Sequence, residues 1–267
     1  MPIYLGTSGW NYKHWRNTFY PQGVPQSRWL EFYAQRFRTV ELNNSFYRLP
    51  SPEQFASWRD RTPDDFVFTV KMSRFLTHVK RLRDSEEPVE RFLQAVVPLK
   101  EKLGPILIQL PPNLKADLAN LEGVLGRFPE HIRVVVEFRH DSWFTPECRA
   151  LLEKFGTAWC LADRLSKPIA PVWRSTEWAF LRFHEGRGTP HPCYGREALL
   201  SWIDRLREGW GNEADMYVYF NNDPRACALR DARTFGRLAA ASGFEVTRTP
   251  ASGEVTIDLE GTEAWST

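Results

Sequence analysis

A repeated alternation of short apolar runs with helix-like sequence constrains the fold of this chain more than any other feature. Eight runs rich in apolar or β-branched residues occur in order, and most are followed by turn residues and then by apolar residues at helical spacing. The runs comprise residues 3–9, 39–46, 66–73, 105–110, 132–139, 157–163, 178–184 and 215–221. This alternation predicts an α/β protein, and eight repeats favour closure of the parallel strands into a (β/α)8 TIM barrel. An open doubly wound sheet is the alternative.

The chain length and the helix signals agree with one barrel domain. A barrel of this type needs about 250 residues, and the chain has 267. We expect a single TIM-barrel domain over residues 1–267, in which 242–267 form a C-terminal extension packed on the barrel, with a short strand at 254–259. Helices are predicted over 27–37, 114–128, 196–210 and 225–241, and an N-cap followed by proline begins further turns at Ser51, Thr145 and Asp223.

Composition excludes some classes of protein. A hydrophobic content of 42% and a charged content of 25% are ordinary for a globular protein, and a net charge of +2 does not by itself indicate a nucleic-acid partner. No run approaches the roughly 20 apolar residues that a membrane helix requires. The first residues resemble a strand rather than a signal sequence, so we expect a cytoplasmic protein without a membrane partner. The four cysteines form no close pair and are predicted to be reduced packing residues.

Polar side chains are predicted to converge at the carboxyl ends of the strands. Alternate residues of a barrel strand point inward, and the strand ends line one open mouth. The parity of each run places the following residues on the interior side: Glu41, Asn43, Thr69, Lys71, Gln109, Glu137, Arg139, Asp163, Arg182, His184, Tyr219 and Asn221.

These residues predict acid–base chemistry on a polar or anionic substrate. Glu41, Lys71, Glu137 and His184 are the candidate catalytic residues, with Glu137 or Glu41 as the base. Arg139, Arg182 or Lys71 would hold an anionic group, and Lys71 could alternatively form a Schiff base. A purely structural network of paired charges is the competing interpretation, although buried ion pairs are poor stabilisers.

The remaining candidate residues are assigned to substrate binding. They are Asn43, His78, Gln109, Arg139, Asp163, Arg182, Asn221, Trp10 and Trp143. His78 belongs to a long charged segment, 74–88, and the two tryptophans follow the first and fifth strands, where an aromatic ring could stack on a sugar or a base. No metal-binding motif is present, and the neighbouring cations would repel a divalent ion, so we predict no metal and no cofactor.

Several motifs at the strand ends occur in a characteristic order. They are Leu5-Gly6-Thr7-Ser8-Gly9-Trp10, Glu41-Leu42-Asn43-Asn44-Ser45-Phe46-Tyr47, Thr77-His78, Gln109-Leu110-Pro111-Pro112, Glu137-Phe138-Arg139-His140, Arg182-Phe183-His184 and Tyr219-Phe220-Asn221-Asn222. This ordered set resembles the DUF72 family, also called YecE-like proteins. The resemblance covers roughly residues 3–240 and implies a TIM-barrel fold without an established activity. In this chain Arg182-Phe183-His184 is followed by Glu185 before Gly186, where members of the family have glycine directly after histidine.

Three functional hypotheses follow. The first is a metal-independent enzyme, such as a hydrolase, lyase or isomerase, acting on a small polar or anionic substrate of the sugar or phosphorylated class. The second is a nucleic-acid-binding or repair protein, by analogy with TIM-barrel endonucleases, in which Arg74, Lys80, Arg81 and Arg83 contact phosphates. The third is a ligand-binding protein without turnover. The sequence does not predict the oligomeric state.

Overall fold

Eight parallel strand positions are present in the computed structural model, which describes residues 2–255. The predicted sixth run is divided at Cys160 into two strands, and a two-residue antiparallel strand follows it. The strands are β1 (Ile3–Thr7), β2 (Thr39–Leu42), β3 (Val67–Lys71), β4 (Leu103–Gln109), β5 (Val134–Glu137), β6 (Ala158–Trp159), β7 (Leu161–Arg164), β8 (Lys167–Pro168), β9 (Ala179–Glu185) and β10 (Met216–Phe220).

The strands follow the circular order of a (β/α)8 barrel. One sheet has the order β1-β10-β9-β7-β8 and the other the order β2-β3-β4-β5-β6. Every neighbouring pair except β7 with β8 is parallel. The two sheets meet where Ser8 bridges to Glu41, and again where the chain runs from β6 through Cys160 into β7. The predicted TIM-barrel fold is confirmed.

Helices connect most of the strands. They are α1 (Trp29–Ala34), α2 (Asn44–Tyr47), α3 (Pro52–Asp60), α4 (Glu86–Val96), α5 (Leu118–Leu125), α6 (Pro146–Lys154), α7 (Arg196–Trp210) and α8 (Cys227–Ala241). The predicted helix over 196–210 coincides with α7, whereas α1 and α5 are shorter than predicted. Ser51 and Thr145 accept the predicted capping hydrogen bonds from Gln54 N and Cys148 N. Within residues 2–255, the connection from β7 to β9 contains no helix.

A hydroxyl group from a helix holds the junction between β1 and β2. The Tyr33 hydroxyl of α1 accepts from Thr7 N at 3.0 Å and donates to Thr39 O at 3.1 Å. It therefore satisfies a donor and an acceptor where the two strands are linked only through Ser8 and Glu41. Gly6 permits this close approach, since a Cβ atom there would lie 2.4 Å from Thr39 O.

Inside the barrel an apolar layer supports the polar mouth. Leu107, Val135, Phe180 and Tyr217 belong to one buried cluster in the interior. Tyr219 lies two residues further along β10 and bonds through its hydroxyl to Thr39 Oγ1 at 2.6 Å and to Thr69 Oγ1 at 2.8 Å. The next inward positions carry the charged residues, which consequently rest on a filled core.

Residues after α8 contact the amino-terminal end of the barrel. Thr247 N donates to Ile3 O at 3.0 Å, and Arg248 bonds to Asp65 and to the carbonyl of Ala34. Of the strand predicted at 254–259, residues 256–259 lie outside the described part of the chain. No helix within residues 2–255 is both long and apolar enough to cross a bilayer.

The prediction that all four cysteines are reduced is wrong for one pair. Cys193, in the loop after β9, forms a disulfide with Cys227 at the start of α8, with their Cα atoms 5.0 Å apart. Cys148 and Cys160 are free and buried. The two bonded cysteines are 34 residues apart in sequence. This spacing does not predict that the fold places them together. Because disulfides are uncommon in the cytoplasm, the predicted location stays an open prediction.

Candidate functional site

Arg182 lies at the centre of a buried charge network at the carboxyl ends of the strands. Its Nε and Nη2 atoms donate to the two carboxylate oxygens of Glu41 on β2, each at 2.8 Å. Its Nη1 atom donates to Glu137 on β5 and, at 3.2 Å, to Gln109 on β4. Arg182 is 1% exposed and both carboxylates are fully buried. Three strands thus place polar groups around the guanidinium that a fourth strand, β9, carries.

Several hydrogen-bond donors hold the two carboxylates. Glu137 also accepts from Arg139 Nε at 2.8 Å and from His184 Nε2 at 3.1 Å. Burial alone would raise the pKa of Glu137, but Arg182, His184 and Arg139 together hold this pKa well below its usual range. Both oxygens of Glu41 are bound to Arg182. Every oxygen of the two carboxylates therefore already accepts at least one hydrogen bond within the cluster.

Lys71 is buried but lacks a carboxylate partner. Its Nζ atom donates to Gln109 Oε1 at 2.9 Å and lies 4.2 Å from the ring centre of Phe46. Within residues 2–255, no carboxylate lies within ion-pair distance of this amine. Burial, followed by the charge of Arg182, lowers the pKa of Lys71 to about 8. The amine can therefore gain or lose a proton near neutral pH.

The charge cluster, which we define as Glu41, Lys71, Gln109, Glu137, Arg139, Arg182 and His184, carries surplus positive charge. Burial lowers the pKa of His184 despite the opposing effect of Glu137, so the imidazole is neutral at pH 7. Three cations then face two carboxylates. In the described part of the chain, Arg139 is bound through its Nε atom alone and remains 31% exposed. A small anion would balance this surplus.

His184 occupies a break in the strand register. Asp163 pairs with Phe183 and the next residue, Arg164, pairs with Glu185, so His184 is the additional residue of a β-bulge. Glu185, the residue that departs from the DUF72 pattern, directly follows this bulge. The His184 Nδ1 atom faces Asn221 Nδ2 at 3.4 Å. Its two nitrogens therefore contact Glu137 and Asn221.

His78 lies beside the cluster rather than in it. It belongs to a single π-helical turn, Phe75–Val79, and its Nδ1 atom is 2.8 Å from Thr77 Oγ1. Its ring packs edge-on against Phe46 at 5.0 Å, while Lys71 contacts the same ring. Burial and the charge of Lys71 lower the pKa of His78.

Asn43 and Trp10 line a separate cavity of about 420 Å³. Asn43 follows β2, two residues after Glu41, and its Oδ1 atom is buried without a partner among residues 2–255. Trp10 packs edge-on against Trp58 at 5.4 Å. These two predicted binding residues are thus outside the charge cluster.

Asp163 faces the helices and not the barrel interior. Its carboxylate accepts from the Tyr194 hydroxyl at 2.8 Å and from Trp202 Nε1 of α7 at 2.7 Å. The inward residues of this run are Ala158 and Cys160, so the parity assigned to Asp163 was reversed. Sequence parity is ambiguous here because small residues, rather than large ones, fill the interior side.

Trp143 has a packing role. It is fully buried, its Nε1 atom donates to Leu114 O at 2.8 Å, and its ring stacks on Phe138 at 5.0 Å. A ligand cannot reach this ring, and the prediction that Trp143 binds substrate is corrected. A tryptophan after a strand end resembles a rim residue in sequence whether it points outward or into the helix layer.

A second polar pair at the mouth was not predicted. Asp223, after β10, accepts from Trp15 Nε1 at 2.8 Å and lies 2.8 Å from His14 Nε2. Burial raises the pKa of Asp223 to about 6, partly offset by the charge of His14. The sequence predicts Asp223 as a helix cap, but its side chain makes no capping bond. The adjacency of the first and eighth strands in a barrel is the signal that could have paired it with His14.

The described residues contain no ready-made metal site. Among residues 2–255, no three histidine, cysteine, aspartate or glutamate side chains converge in a way that could hold a metal ion. The carboxylates of the charge cluster are instead bound to arginine. The prediction that the protein uses no metal or cofactor is untested by this geometry.

Comparison with known proteins identifies relatives along most of the chain. A family model described as "Protein of unknown function DUF72" matches residues 4–254. The UPF0759 protein YecE of Escherichia coli (strain K12) is 34% identical over 143 residues, which are 53% of this chain and 50% of YecE. The match therefore spans about half the length of that relative. The UPF0759 protein YunF of Bacillus subtilis (strain 168) is 28% identical over 255 residues, covering 83% of this chain and 89% of YunF.

Two solved structures share the fold. A DUF72 family protein from Thermotoga maritima superposes with a TM-score of 0.79 at 29% identity, covering 90% of this chain and all of that protein. A DUF72 family protein from Enterococcus faecalis V583 gives a TM-score of 0.76 at 18% identity, covering 89% and 95% of the two chains. With the family model matching residues 4–254, this chain belongs to the DUF72 family, whose function its own description leaves open.

Proposed function

We propose that the protein is an enzyme that binds a small anionic substrate at the barrel mouth and transfers a proton through Lys71. The observation that carries the proposal is the Lys71 amine, which is buried, has a pKa of about 8 and makes its only protein hydrogen bond within residues 2–255 to a neutral amide. A lysine that served only to neutralise a buried carboxylate would contact that carboxylate. This amine is instead available to a ligand.

The other members of the cluster prepare the site around Lys71. The exposed guanidinium edge of Arg139 binds the anionic group of the substrate, because only its Nε atom is used by Glu137. Arg182 is fixed by Glu41, and Gln109 links Arg182 to Lys71. We propose that the carboxylates orient cations, whereas the sequence had suggested them as bases. His184 and Asn221 complete the polar wall as binding groups.

Binding of inorganic phosphate and of small carboxylates tests the anion site directly. We expect saturable binding to the wild-type protein by calorimetry, and at least a tenfold loss of affinity in Lys71→Met and Arg139→Gln, since one charge-assisted hydrogen bond is worth about 1.5–3 kcal/mol. Lys154→Met and Arg149→Gln are matched controls on the exposed face of α6. Equal binding by wild type and the Lys71→Met variant would contradict the assignment.

Proton transfer requires a separate readout. Incubation of the protein with phosphorylated and carboxylated carbonyl compounds in D₂O, followed by proton NMR, reports exchange of a proton next to the carbonyl group. Borohydride reduction with mass spectrometry detects a Schiff base on Lys71, the alternative use of this amine. If anions bind through Lys71 but neither exchange, turnover nor trapping occurs across the panel, the protein is a ligand-binding protein without catalysis.

Nucleic-acid binding is the second candidate, favoured by exposed aromatic rings near cations. Tyr47 and Phe75 are 74% and 42% exposed, and Arg74 lies next to Phe75 in the chain. Such rings could stack on bases. Two of the four predicted phosphate contacts are already used, because Lys80 binds Asp84 and Arg81 binds Asn113. Because these two cations already have protein partners, nucleic-acid binding is the less favoured proposal.

A salt titration separates the two proposals. Fluorescence anisotropy with labelled single-stranded DNA and RNA at about 50 mM salt should show binding that falls steeply by about 200 mM if phosphates are contacted. Arg74→Gln should then weaken binding, whereas Arg149→Gln should not. No association at low salt would exclude the nucleic-acid proposal.

A further inference from the structure

We infer that a pocket beside the charge cluster binds the neutral, hydroxyl-rich ring of a sugar. This amide pocket is the cavity of about 420 Å³ between the loops that follow β1 and β2, the start of α1 and one side of α3. Five carboxamide side chains line it: Asn11, Gln26, Asn43, Asn44 and Gln54. Its volume lies within the range of ligand cavities, about 300–1,000 Å³.

The carboxamides retain hydrogen-bonding capacity that matches hydroxyl groups. Each carboxamide presents a donor and an acceptor, as each sugar hydroxyl does. Gln26 Nε2 donates to Asn11 Oδ1 at 2.7 Å, which leaves the Gln26 oxygen and the Asn11 amide nitrogen for other partners. Asn44 uses its oxygen to accept from Ser45 N at 2.9 Å. A ring with several hydroxyl groups can thus bond to several of these side chains at once.

Asn43 places an unsatisfied hydrogen-bond acceptor in the wall of the pocket. Its Oδ1 atom is buried and has no hydrogen bond to any residue in the range 2–255. A buried acceptor without a donor costs about 1–3 kcal/mol, so such groups commonly mark a place for water or ligand. The side chain lines the pocket, where a ligand hydroxyl would supply the missing donor.

Aromatic rings provide the apolar surface that the C–H face of a sugar requires. Trp10 is partly buried in the pocket wall, and Trp58 holds it from the side with the two rings at 87°. Tyr12 contributes a further ring to the wall. Polar groups on one side and an indole on the other suit an amphipathic ring.

The pocket is electrically neutral, which selects against anions. Among residues 2–255, Arg61 is the only charged residue that lines it, and both oxygens of Glu31 accept from that guanidinium, at 3.0 Å and 2.8 Å. A planar nucleobase also fits less well than a sugar. The edge-on pair Trp10 and Trp58 offers no parallel slot that would cover both faces of a base.

The inference does not depend on the proposed anion site. Asn43 follows Glu41 by two residues in the chain, so the pocket lies near the charge cluster, although no residue of the cluster lines it. A neutral sugar should nevertheless bind to the amide pocket alone. An anionic sugar is the ligand that would use both sites.

Indole NMR signals can report this binding residue by residue. In ¹⁵N-labelled full-length protein, Trp10→Phe and Trp58→Phe identify two of the eleven indole signals. Titration with glucose, galactose and N-acetylglucosamine should shift these two signals saturably, in the millimolar range, with at least one sugar. Sorbitol, which has the hydroxyl groups without the ring, should shift them at least fivefold less.

Variants link the shifts to the carboxamides. Gln54→Ala, at an exposed position of α3, and Asn43→Ala should each weaken the best sugar at least fivefold, whereas Gln35→Ala, outside the pocket, should not. Lys71→Met should weaken phosphate binding at least tenfold and leave sugar binding intact, which separates failure of one proposal from failure of the other. The inference is overturned if no sugar gives saturable shifts, if adenosine alone shifts both indole signals, or if both carboxamide variants bind sugar as wild type does.

Discussion

Lys71 is a residue whose burial should be measurable as a dependence of stability on pH. Its pKa is about 8 in the native protein against an ordinary value of 10.5. Between these pH values the unfolded chain holds a proton that the native chain has lost, so stability rises with pH. Relative to Lys71→Met, the wild-type free energy of unfolding should increase by about 3 kcal/mol from pH 8 to pH 10.5 and stay level below pH 8.

Urea unfolding at a series of pH values measures this difference. Subtracting the Lys71→Met values removes the contributions of the tyrosines, which titrate in both proteins. A difference that remains flat from pH 7 to pH 10.5 would mean that the native amine keeps its ordinary pKa. Lys71 would then be a poor candidate for proton transfer.

Glu41 should be essential for stability, because it is the bidentate partner of a buried arginine. In Glu41→Gln the Arg182 guanidinium loses one negative charge in a site without solvent access. Removal of one partner from a buried pair costs about 3–5 kcal/mol. The surface pair of Arg149 and Glu153 is a control, and Glu153→Gln should cost about 1 kcal/mol or less by the same urea measurement. Equal losses in the two variants would argue against a tightly held Arg182.

At the residue scale, the sequence predicted the charge cluster well where large side chains alternate with polar ones. Glu41, Glu137 and Arg182 lie together because strand parity is unambiguous in their runs. Prediction from the sequence failed for Asp163, where alanine and cysteine line the inward side of the strand. It also failed for Trp143, whose side-chain direction depends on a loop. The pairing of Asp223 with His14 required knowledge of which strands become neighbours.

The junction of β1 and β2 is the element most dependent on a single side chain. Tyr33→Phe removes the hydroxyl that bonds to Thr7 N and Thr39 O and leaves both backbone groups buried without this partner. We expect a loss of about 1–3 kcal/mol in the free energy of unfolding. Gly6 keeps the strands too close for a side chain to fill the gap.

Tyr47→Phe is the matched control for this substitution, because Tyr47 is 74% exposed. The free energy of unfolding of Tyr47→Phe should differ from that of the wild type by no more than about 0.5 kcal/mol. Hydrogen exchange adds a local measurement, since the amide of Thr7 should exchange faster in Tyr33→Phe. An unchanged exchange rate of the Thr7 amide would show that the junction of β1 and β2 does not depend on the hydroxyl.

Elements with local signals were predicted more accurately than elements defined by their neighbours. Helix α7 has strong helical periodicity, and the caps at Ser51 and Thr145 are formed as predicted. The division of the sixth strand at Cys160 was not predicted, because its apolar run is continuous. The role of Tyr33 was not visible either, since nothing in a helix pattern shows where a hydroxyl meets a sheet.

On the scale of the whole molecule, the barrel assembles sites from residues far apart in sequence. The charge cluster draws on five of the eight strand positions, and the amide pocket on two loops and two helices. The eightfold alternation was sufficient to predict this closure. The same closure brings Cys193 and Cys227 together, and no sequence pattern predicted that contact.

The disulfide should stabilise the barrel wall between its seventh and eighth units. Closing a loop across a separation of 34 residues stabilises a protein by about 3–4 kcal/mol in the chain-entropy description. Reduction with dithiothreitol should therefore lower the urea midpoint of the wild-type protein, whereas Cys193→Ala/Cys227→Ala should have a low midpoint that reductant does not change. Thiol titration of the purified, denatured protein should find two free thiols, from Cys148 and Cys160, and four after reduction. Four free thiols before reduction, with a midpoint insensitive to reductant, would show that the pair is not bonded in the isolated protein.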